Sequence, residues 1–363
     1  MRLATLALVL LAAPVLAQEA RDGHLFDQGR AMADRSERAD AELDRMKGLL
    51  GAWDVTVTTH PTDSTTHTAE GQAEIAYMNR GYAYQERRHV PGYSASGEAD
   101  HAMSFLVYAP STGTWGLGEG RSSTETVEIY TGAPEASGLA LHTATRRLGG
   151  MALTHVRTTY ALASGDGFTV TVEEKASGDW RTVERRVYSR RTEAPDLLAT
   201  AEHHGSAAAG LPPEAREFDF LIGTWDAAHR LNLGGNWVQF PTTTTAVFAL
   251  GGHAVLEHSW FDLDPSLPDA STTILRLYNR AERRWESLYM ANRGNTLLKF
   301  GSDWEGDRMV LHTFEARRTD PISRFVFHSI EPDAYAWFAE SSTDGGATFA
   351  ETWTIDVTRR PAP

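Results

Sequence analysis

The feature that most constrains this chain is an internal repeat. The hexapeptide Leu-Leu-Gly-Ala-Trp-Asp at residues 49–54 recurs as Leu-Ile-Gly-Thr-Trp-Asp at residues 221–226. Three further landmarks recur in the same order: residues 81–86 with 252–257, Tyr108 and Trp115 with Tyr278 and Trp285, and Arg190 and Arg191 with Arg359 and Arg360. The distance between matched positions drifts only from 172 to 169 residues. Such an ordered set of matches indicates two copies of one domain, each of an ordinary domain size.

Within each copy, apolar and polar residues alternate with a period of two, which predicts β-strands. The second copy shows the pattern most clearly in the run Trp225, Ala227, His229, Leu231 and Leu233. Turn signals rich in Asp and Gly, such as residues 164–167 and 344–346, separate these runs. Short strands joined by hairpins predict an all-β fold. We therefore expect two tandem antiparallel up-and-down β-barrels, preceded by a short N-terminal helix.

Composition shifts divide the chain into five segments. We expect a signal peptide over 1–17, a helical lead-in over 18–48, a first barrel over 49–191, a linker over 192–217 and a second barrel over 218–360. The lead-in carries Leu43, Met46 and Leu50 at helical spacing. The linker contains three consecutive alanines and a Pro-Pro pair, a composition typical of a connection between domains.

The first seventeen residues follow the three-part pattern of a secretory signal peptide. A positive start at Met1 and Arg2 precedes an apolar run, and Val15-Leu16-Ala17 places small residues before Gln18. The run is shorter than the roughly 20 residues that span a bilayer. We expect a mature protein that starts at Gln18 and is periplasmic or secreted.

Charge and composition exclude several classes of partner. The chain has 48 acidic and 34 basic residues, a formal net charge of −14. This balance argues against nucleic-acid binding and against docking on an anionic membrane surface. No later segment is apolar enough to predict membrane insertion. The absence of cysteine excludes disulfides, thiol nucleophiles and cysteine-ligated metals.

Each copy opens with Gly-x-Trp-Asp, which resembles the signature of the lipocalins and the wider calycin group. The second copy, over residues 216–360, more closely resembles the lipocalin-like domains of unknown function in bacteria. Those domains place Phe-Asp-Phe-Leu-Ile-Gly-Thr-Trp before a Leu-Gly-Gly-x-Ala segment and a Tyr…Trp hairpin; here these are residues 218–225, residues 250–254, and Tyr278 with Trp285. The first copy departs from the pattern, with Asn-Arg-Gly at residues 79–81.

The resemblance implies that each Trp of the motif plugs one end of its barrel. In lipocalins an arginine near the last strand packs across this Trp, and Arg190 or Arg191 and Arg359 or Arg360 stand where it would be. Such a cation–π contact contributes roughly 0.5–2 kcal/mol. We interpret Trp53, Trp225 and these arginines as structural residues.

Candidate ligand-binding residues come from the second copy, because more polar residues interrupt its strands. The equivalent positions in the first copy are Tyr82, Glu86 and Tyr108. We expect His253 and Glu257 to share one strand face, four residues apart. Aromatic side chains would supply the apolar lining of a small-molecule site. The predicted ligand-binding set is His253, Glu257, Arg276, Tyr278, Trp285, His312, His328 and Trp337.

Three chemistries find little support in the sequence. The last predicted strand of each copy lacks a histidine that could ligate haem. There is no His-x-His or His-Glu-x-x-His spacing for a metal, and no Gly-x-Ser-x-Gly nucleophile elbow. We therefore predict no cofactor, no metal site and no assigned catalytic residue.

The sequence favours an exported protein that holds a small apolar or amphipathic molecule in a barrel, more specifically in the second barrel. A hydratase, isomerase or lyase acting on a similar ligand is the first alternative, with His253 and Glu257 as the pair to test. A structural or protein-interaction tandem is the second alternative, and it would expose an apolar patch on an outer barrel surface.

Overall fold

A computed structural model describes residues 39–62, 64–79, 81–135, 138–146, 153–162, 166–175, 178–193, 205–261, 270–292, 296–313 and 322–361. The expected signal peptide, most of the lead-in and part of the linker lie outside these residues. None of the helices in the described ranges is both long and apolar enough to cross a membrane.

The described residues form twenty strands in two closed barrels, which confirms the predicted all-β tandem. The strands of barrel 1 are β1 (Gly51–Thr62), β2 (Thr65–Met78), β3 (Ala83–Val90), β4 (Asp100–Ala109), β5 (Thr114–Arg121), β6 (Thr126–Glu135), β7 (Gly138–Arg146), β8 (Leu153–Leu162), β9 (Gly167–Lys175) and β10 (Arg181–Arg190). The strands of barrel 2 are β11 (Gly223–Leu233), β12 (Asn236–Ala249), β13 (Ala254–Phe261), β14 (Ala270–Asn279), β15 (Arg284–Ala291), β16 (Thr296–Glu305), β17 (Arg308–Thr313), β18 (Ile322–Glu331), β19 (Ala334–Ser342) and β20 (Ala350–Arg359).

Both barrels have the up-and-down connectivity that the alternating pattern predicts. Every strand pairs antiparallel with its neighbours in sequence, and β1 with β10 and β11 with β20 complete the two rings. The closing pairs have the same register, because Trp53 lies opposite Arg190 and Trp225 lies opposite Arg359. The repeated sequence therefore produces a repeated backbone.

One end of each barrel is closed by the tryptophan of the repeated motif. Trp53 and Trp225 are fully buried, and each indole N–H donates to a backbone carbonyl four residues earlier. The Arg190 guanidinium lies 4.2 Å from the centroid of the Trp53 ring, and Arg359 lies 3.9 Å from that of Trp225. The predicted cation–π contact is confirmed in both copies.

The glycine of each motif is required by the same contact. Gly51 and Gly223 have φ near +130°, where side-chain-bearing residues are strained. A Cβ on Gly51 would lie 2.5 Å from Nη1 of Arg190, and a Cβ on Gly223 would lie closer still to Arg359. The arginines use this space to donate hydrogen bonds to the carbonyls of Leu50 and Ile222.

Short 3₁₀ segments cover the two closed ends. The predicted N-terminal helix is a 3₁₀ helix over Ala41–Leu49, and Leu43, Met46 and Leu49 are its buried residues. The spacing of three follows from the tighter 3₁₀ winding, so Leu49 rather than Leu50 completes the apolar side. Before barrel 2, the turns Pro213–Arg216 and Asp219–Leu221 occupy the equivalent place.

The outer faces of the two barrels pack against each other through glycines. Gly116, Gly118 and Gly120 occupy alternate positions of β5, on the face that points out of barrel 1. A Cβ on Gly118 would lie 2.6 Å from Leu288, and a Cβ on Gly120 would lie 2.6 Å from Leu275. The missing side chains therefore allow leucines of barrel 2 to pack directly on the β5 backbone. The resulting apolar cluster contains buried residues from both barrels.

A buried carboxylate also joins the barrels. Glu286 of β15 is 2% exposed, and its Oε2 accepts a hydrogen bond of 2.9 Å from the backbone N–H of Val127 in β6. Lys299 lies 3.0 Å from the same oxygen and donates to the Val127 carbonyl. Side chains of barrel 2 therefore satisfy backbone groups of barrel 1, which would otherwise be buried without partners.

Replacing Gly223 with alanine should destabilise barrel 2. The strained φ and the collision with Arg359 are expected to cost about 1–3 kcal/mol of unfolding free energy, measured by urea denaturation. Gly205→Ala is the control, because no atom lies within 4 Å of the added Cβ. Equal stabilities of the two variants would contradict this account of the motif.

The glycine–leucine packing can be tested by a double-mutant cycle. Gly118→Ala should destabilise by overpacking against Leu288, by about 1–3 kcal/mol. Leu288→Ala removes the colliding methyl groups, so the double variant should be more stable than the sum of the single changes by at least about 1 kcal/mol. Additive effects in urea unfolding would show that the two residues do not pack together.

Candidate functional site

The interior of barrel 2 is the candidate site, and the strand register shows which side chains face it. Starting from buried Trp225, every second residue points inward, and inward positions lie opposite one another on paired strands. On β14 and β15 the inward set includes Ile274, Arg276, Ser287 and Tyr289. Their neighbours, including Leu275 and Leu288, point outward.

In the part of β14 and β15 that lies away from the closed end, solvent access is the reverse of that in a filled barrel, whereas Arg276 and Ser287 nearer the closed end are buried. The outward residues Leu275, Leu288 and Met290 are fully buried, because they pack against barrel 1. The inward residues Ile274 and Tyr289 are partly exposed. Side chains that point into the barrel and still contact solvent require space inside it.

Aromatic rings line this space as a continuous wall. Ring centroids lie 6.1 Å apart for Tyr289 and Phe300, and 5.2 Å apart for Phe300 and Phe325. The series continues through Trp337, at 5.8 Å from Phe325, to Trp353, at 5.5 Å from Trp337. Phe325, Trp337 and Trp353 are partly exposed although they face inward. Such a lining suits an apolar or aromatic molecule.

His229 lies at the end of the aromatic wall, and its imidazole is neutral. The Trp353 indole N–H, which can only donate, contacts Nδ1 of His229 at 3.1 Å. The proton of the neutral imidazole therefore lies on Nε2, which donates to the Thr242 hydroxyl at 2.7 Å. Burial lowers the pKa of His229 to about 3. The alternating run containing His229 was visible in the sequence, but its partners 13 and 124 residues away were not.

A charged pair lies towards the closed end of the same interior. Arg276 Nη1 and Glu257 Oε2 are 2.7 Å apart. Neither atom makes a hydrogen bond with the described residues, so the contact has the distance of an ion pair but not hydrogen-bond angles. The Arg276 side chain is 1% exposed and the Glu257 side chain 12%. Arg276 also lies 5.1 Å from the centroid of the Phe218 ring, against the closed end.

Five of the eight predicted residues belong to this interior. Glu257, Arg276, Tyr278, Trp285 and Trp337 all occupy inward positions. Tyr278 and Trp285 pack together at the closed end, with centroids 5.8 Å apart. The prediction that these residues bind a ligand is not tested by their position alone.

The three predicted histidines require correction. His253 follows the turn Leu250–Gly252 and precedes β13, so it does not share a strand face with Glu257. His312 points outward from β17 and lies 3.6 Å from Glu305. His328 points outward from β18, with Ser329 at 3.0 Å and the Phe338 ring beside it. A single-residue step along a strand moves a side chain to the opposite face, which is why the apolar neighbours of these histidines face inward instead.

Barrel 1 has a different interior, with many charged side chains on its inward face. The sequence predicted fewer polar residues there, and this was wrong. Inward positions of β3, β4, β5 and β10 carry Glu86, Arg88, Asp100, Glu119, Arg121, Glu184 and Arg186. The alternating pattern of the sequence did not indicate that these residues face inward, because they are charged and inward positions were expected to be apolar.

These charges are paired within the barrel. Arg88 lies 2.8 Å from Glu86 and 3.1 Å from Glu119, and Arg186 also lies 3.1 Å from Glu119. Burial alone would raise the pKa of Glu119, but Arg186, Arg121 and Arg88 hold that pKa below its ordinary value.

The mouth of barrel 1 is occupied by the same network. Arg121 lies 2.7 Å from Asp100 and 2.9 Å from Glu184. The Tyr93 hydroxyl, on the connection between β3 and β4, donates to Glu184. Val55, Val170 and Tyr188 are also fully buried around these charges, whereas Tyr77 and Val172, which face inward as well, are partly exposed.

Comparisons with known proteins give only weak similarity. No protein-family model matches the chain, and no curated protein matches it. The chain is similar to a crystal structure of a protein of unknown function from the DUF3598 family of Nostoc punctiforme, at 12% identity and a TM-score of 0.25, covering 88% of this chain and 100% of that one. It is also similar to a protein provisionally named AttH from Nitrosomonas europaea, at 8% identity and a TM-score of 0.13, covering 85% and 91%. Scores this low carry no functional argument.

Removing His229 should change how stability depends on pH. The folded pKa is about 3, whereas the ordinary value is 6.5, so the unfolded chain binds more protons between these limits and stability falls as pH decreases. His229→Gln should remove a slope of up to about 1.4 kcal/mol per pH unit between pH 6 and pH 5, measured by urea unfolding. His312→Gln, at a half-exposed outward position, is the control. Parallel pH profiles of wild type and His229→Gln would contradict the buried neutral assignment.

Proposed function

We propose that barrel 2 binds a small apolar or aromatic molecule, while barrel 1 serves as a scaffold. The observation that carries this proposal is the reversed solvent access on β14 and β15. Leu275 and Leu288 are buried outside the barrel, whereas Ile274 and Tyr289 are accessible inside it. The aromatic wall supplies an apolar lining, whereas the inward face of barrel 1 carries the paired charges around Glu119.

The resemblance to lipocalin-like bacterial domains forms part of this proposal. It is supported by the Gly-x-Trp motif, which performs the same closing role in both copies. The interior of a small barrel such as that of a lipocalin is wide enough to hold one small ligand. Export to the periplasm or the medium is a further expectation, and it rests on residues 1–17 alone.

Binding can be tested with the neutral fluorescent probe N-phenyl-1-naphthylamine. We expect one probe per chain and displacement by other apolar molecules. Ile274→Phe places a larger side chain in the accessible interior and should weaken probe binding by at least about fivefold. The matched control is Val172→Phe at an inward position of β9 in barrel 1, which should leave the affinity unchanged.

Two results would contradict the proposal. Loss of binding in Val172→Phe but not in Ile274→Phe would place the ligand in barrel 1. Absence of any binding, together with native mass spectrometry showing no small molecule retained by the purified protein, would favour the structural tandem. Chemical conversion of a retained molecule during incubation would favour the enzyme alternative.

A further inference from the structure

We infer that the ligand of barrel 2 presents a hydrogen-bond donor, an alcohol or an amine, to Glu257, and that a carboxylate is rejected there. This inference rests on the proposed function and specifies the polar end of the ligand. It follows from which polar atoms in the interior remain able to bond and from the sign of the charge they present.

Glu257 is the member of its ion pair that the interior can reach. Its cross-strand neighbours are Ala246 and Ile274, whose apolar side chains leave the carboxylate unscreened. The side chain of Glu257 is 12% exposed, compared with 1% for Arg276. Arg276 lies behind it, against the rings of Phe218 and Phe327 at 5.1 and 5.8 Å. A ligand entering from the open end therefore meets an acceptor first.

Several hydroxyls on the walls are already paired, whereas those of Ser287 and Ser302 are buried without a hydrogen-bond partner among the described residues but carry no charge. The hydroxyls of Thr244 and Ser259 lie 2.8 Å apart and bond to each other. Thr242 is bonded to His229, whose second nitrogen accepts from Trp353. Glu257 Oε2 is buried 2.7 Å from Nη1 of Arg276, so the exposed part of this side chain lies on the side of its other carboxylate oxygen, Oε1. Glu257 accepts no hydrogen bond from the described residues, so a ligand donor that reaches Oε1 contributes to both affinity and specificity.

The charge at this position also discriminates between ligands. A ligand carboxylate would place a second negative charge beside Glu257 in a water-poor interior, where like charges repel strongly. Arg276 cannot offset this repulsion, because Glu257 already neutralises it and lies between it and the space. A hydroxyl donates without adding charge, and an ammonium group adds a charge of favourable sign.

The test uses four probes with one aromatic body: 2-methylnaphthalene, 2-naphthalenemethanol, 2-naphthalenemethylamine and 2-naphthoate. Each displaces N-phenyl-1-naphthylamine from the full-length protein at neutral pH. In the wild type, the alcohol or the amine should bind at least about threefold more tightly than 2-methylnaphthalene, and 2-naphthoate at least about tenfold more weakly than the better of the two. The comparison between alcohol and amine identifies which donor is preferred.

Glu257→Gln should reverse the selectivity. Removal of the negative charge leaves the Arg276 guanidinium uncompensated, so 2-naphthoate should gain at least about tenfold in affinity. Glu340→Gln is the matched control, since Glu340 pairs with Arg324 on the outer face of barrel 2, and its selectivity should equal that of the wild type. If Glu257→Gln fails to fold, the double variant Glu257→Leu with Arg276→Met replaces the pair by apolar side chains and should abolish the advantage of the alcohol and amine over 2-methylnaphthalene.

The outcomes of these assays distinguish failure of this inference from failure of the proposed binding function. Tight binding of 2-naphthoate by the wild type, or no advantage of either donor over 2-methylnaphthalene, would overturn the inference while leaving the binding function intact. Failure of both 2-methylnaphthalene and N-phenyl-1-naphthylamine to bind would overturn the proposed function and this inference with it.

Discussion

The contact between an arginine guanidinium and a buried indole closes each barrel, and the rest of the structure depends on it. An up-and-down sheet of ten strands becomes a barrel only if its first and last strands pair. Arg190 and Arg359 stand on the last strands and reach over Trp53 and Trp225 on the first. Their hydrogen bonds to carbonyls before the first strand also fix the entering chain. A glycine two residues before each tryptophan provides the necessary space.

The same backbone closure supports two different interiors. Glu86 and Glu257 are equivalent positions of the repeat, and each carboxylate faces an arginine. In barrel 1 the pair extends into a network with Arg186, Arg121 and further carboxylates on the inward face. In barrel 2 the pair remains isolated, and aromatic side chains around it enclose accessible space.

The interface between the barrels explains why the space in barrel 2 is compatible with stability. Leu275, Leu288 and Met290 are fully buried on the outer face of barrel 2, where they contact barrel 1, whereas neighbouring inward residues are partly exposed. The glycines of β5 bring the backbone of barrel 1 into contact with these side chains. Because burial of apolar area contributes about 25 cal/mol per Å² wherever it occurs, packing against barrel 1 can offset the partial exposure of inward residues in barrel 2.

The sequence by itself determined the local and repeated features of this protein: period-two strands, hairpin turns and the two copies. These follow from short-range geometry and from patterns that occur twice, whereas the closing role of Trp53, Trp225 and their arginines was implied by the resemblance of the motif to the lipocalins. Only the tertiary structure decided which polar residues face inward, since a shift of one position reverses the face of a strand; His312 and His328 point outward for this reason, while Arg276 points inward. It also decided which barrel holds a buried charge network, because Glu119, Arg121 and Arg186 come together only when strands distant in sequence close the ring.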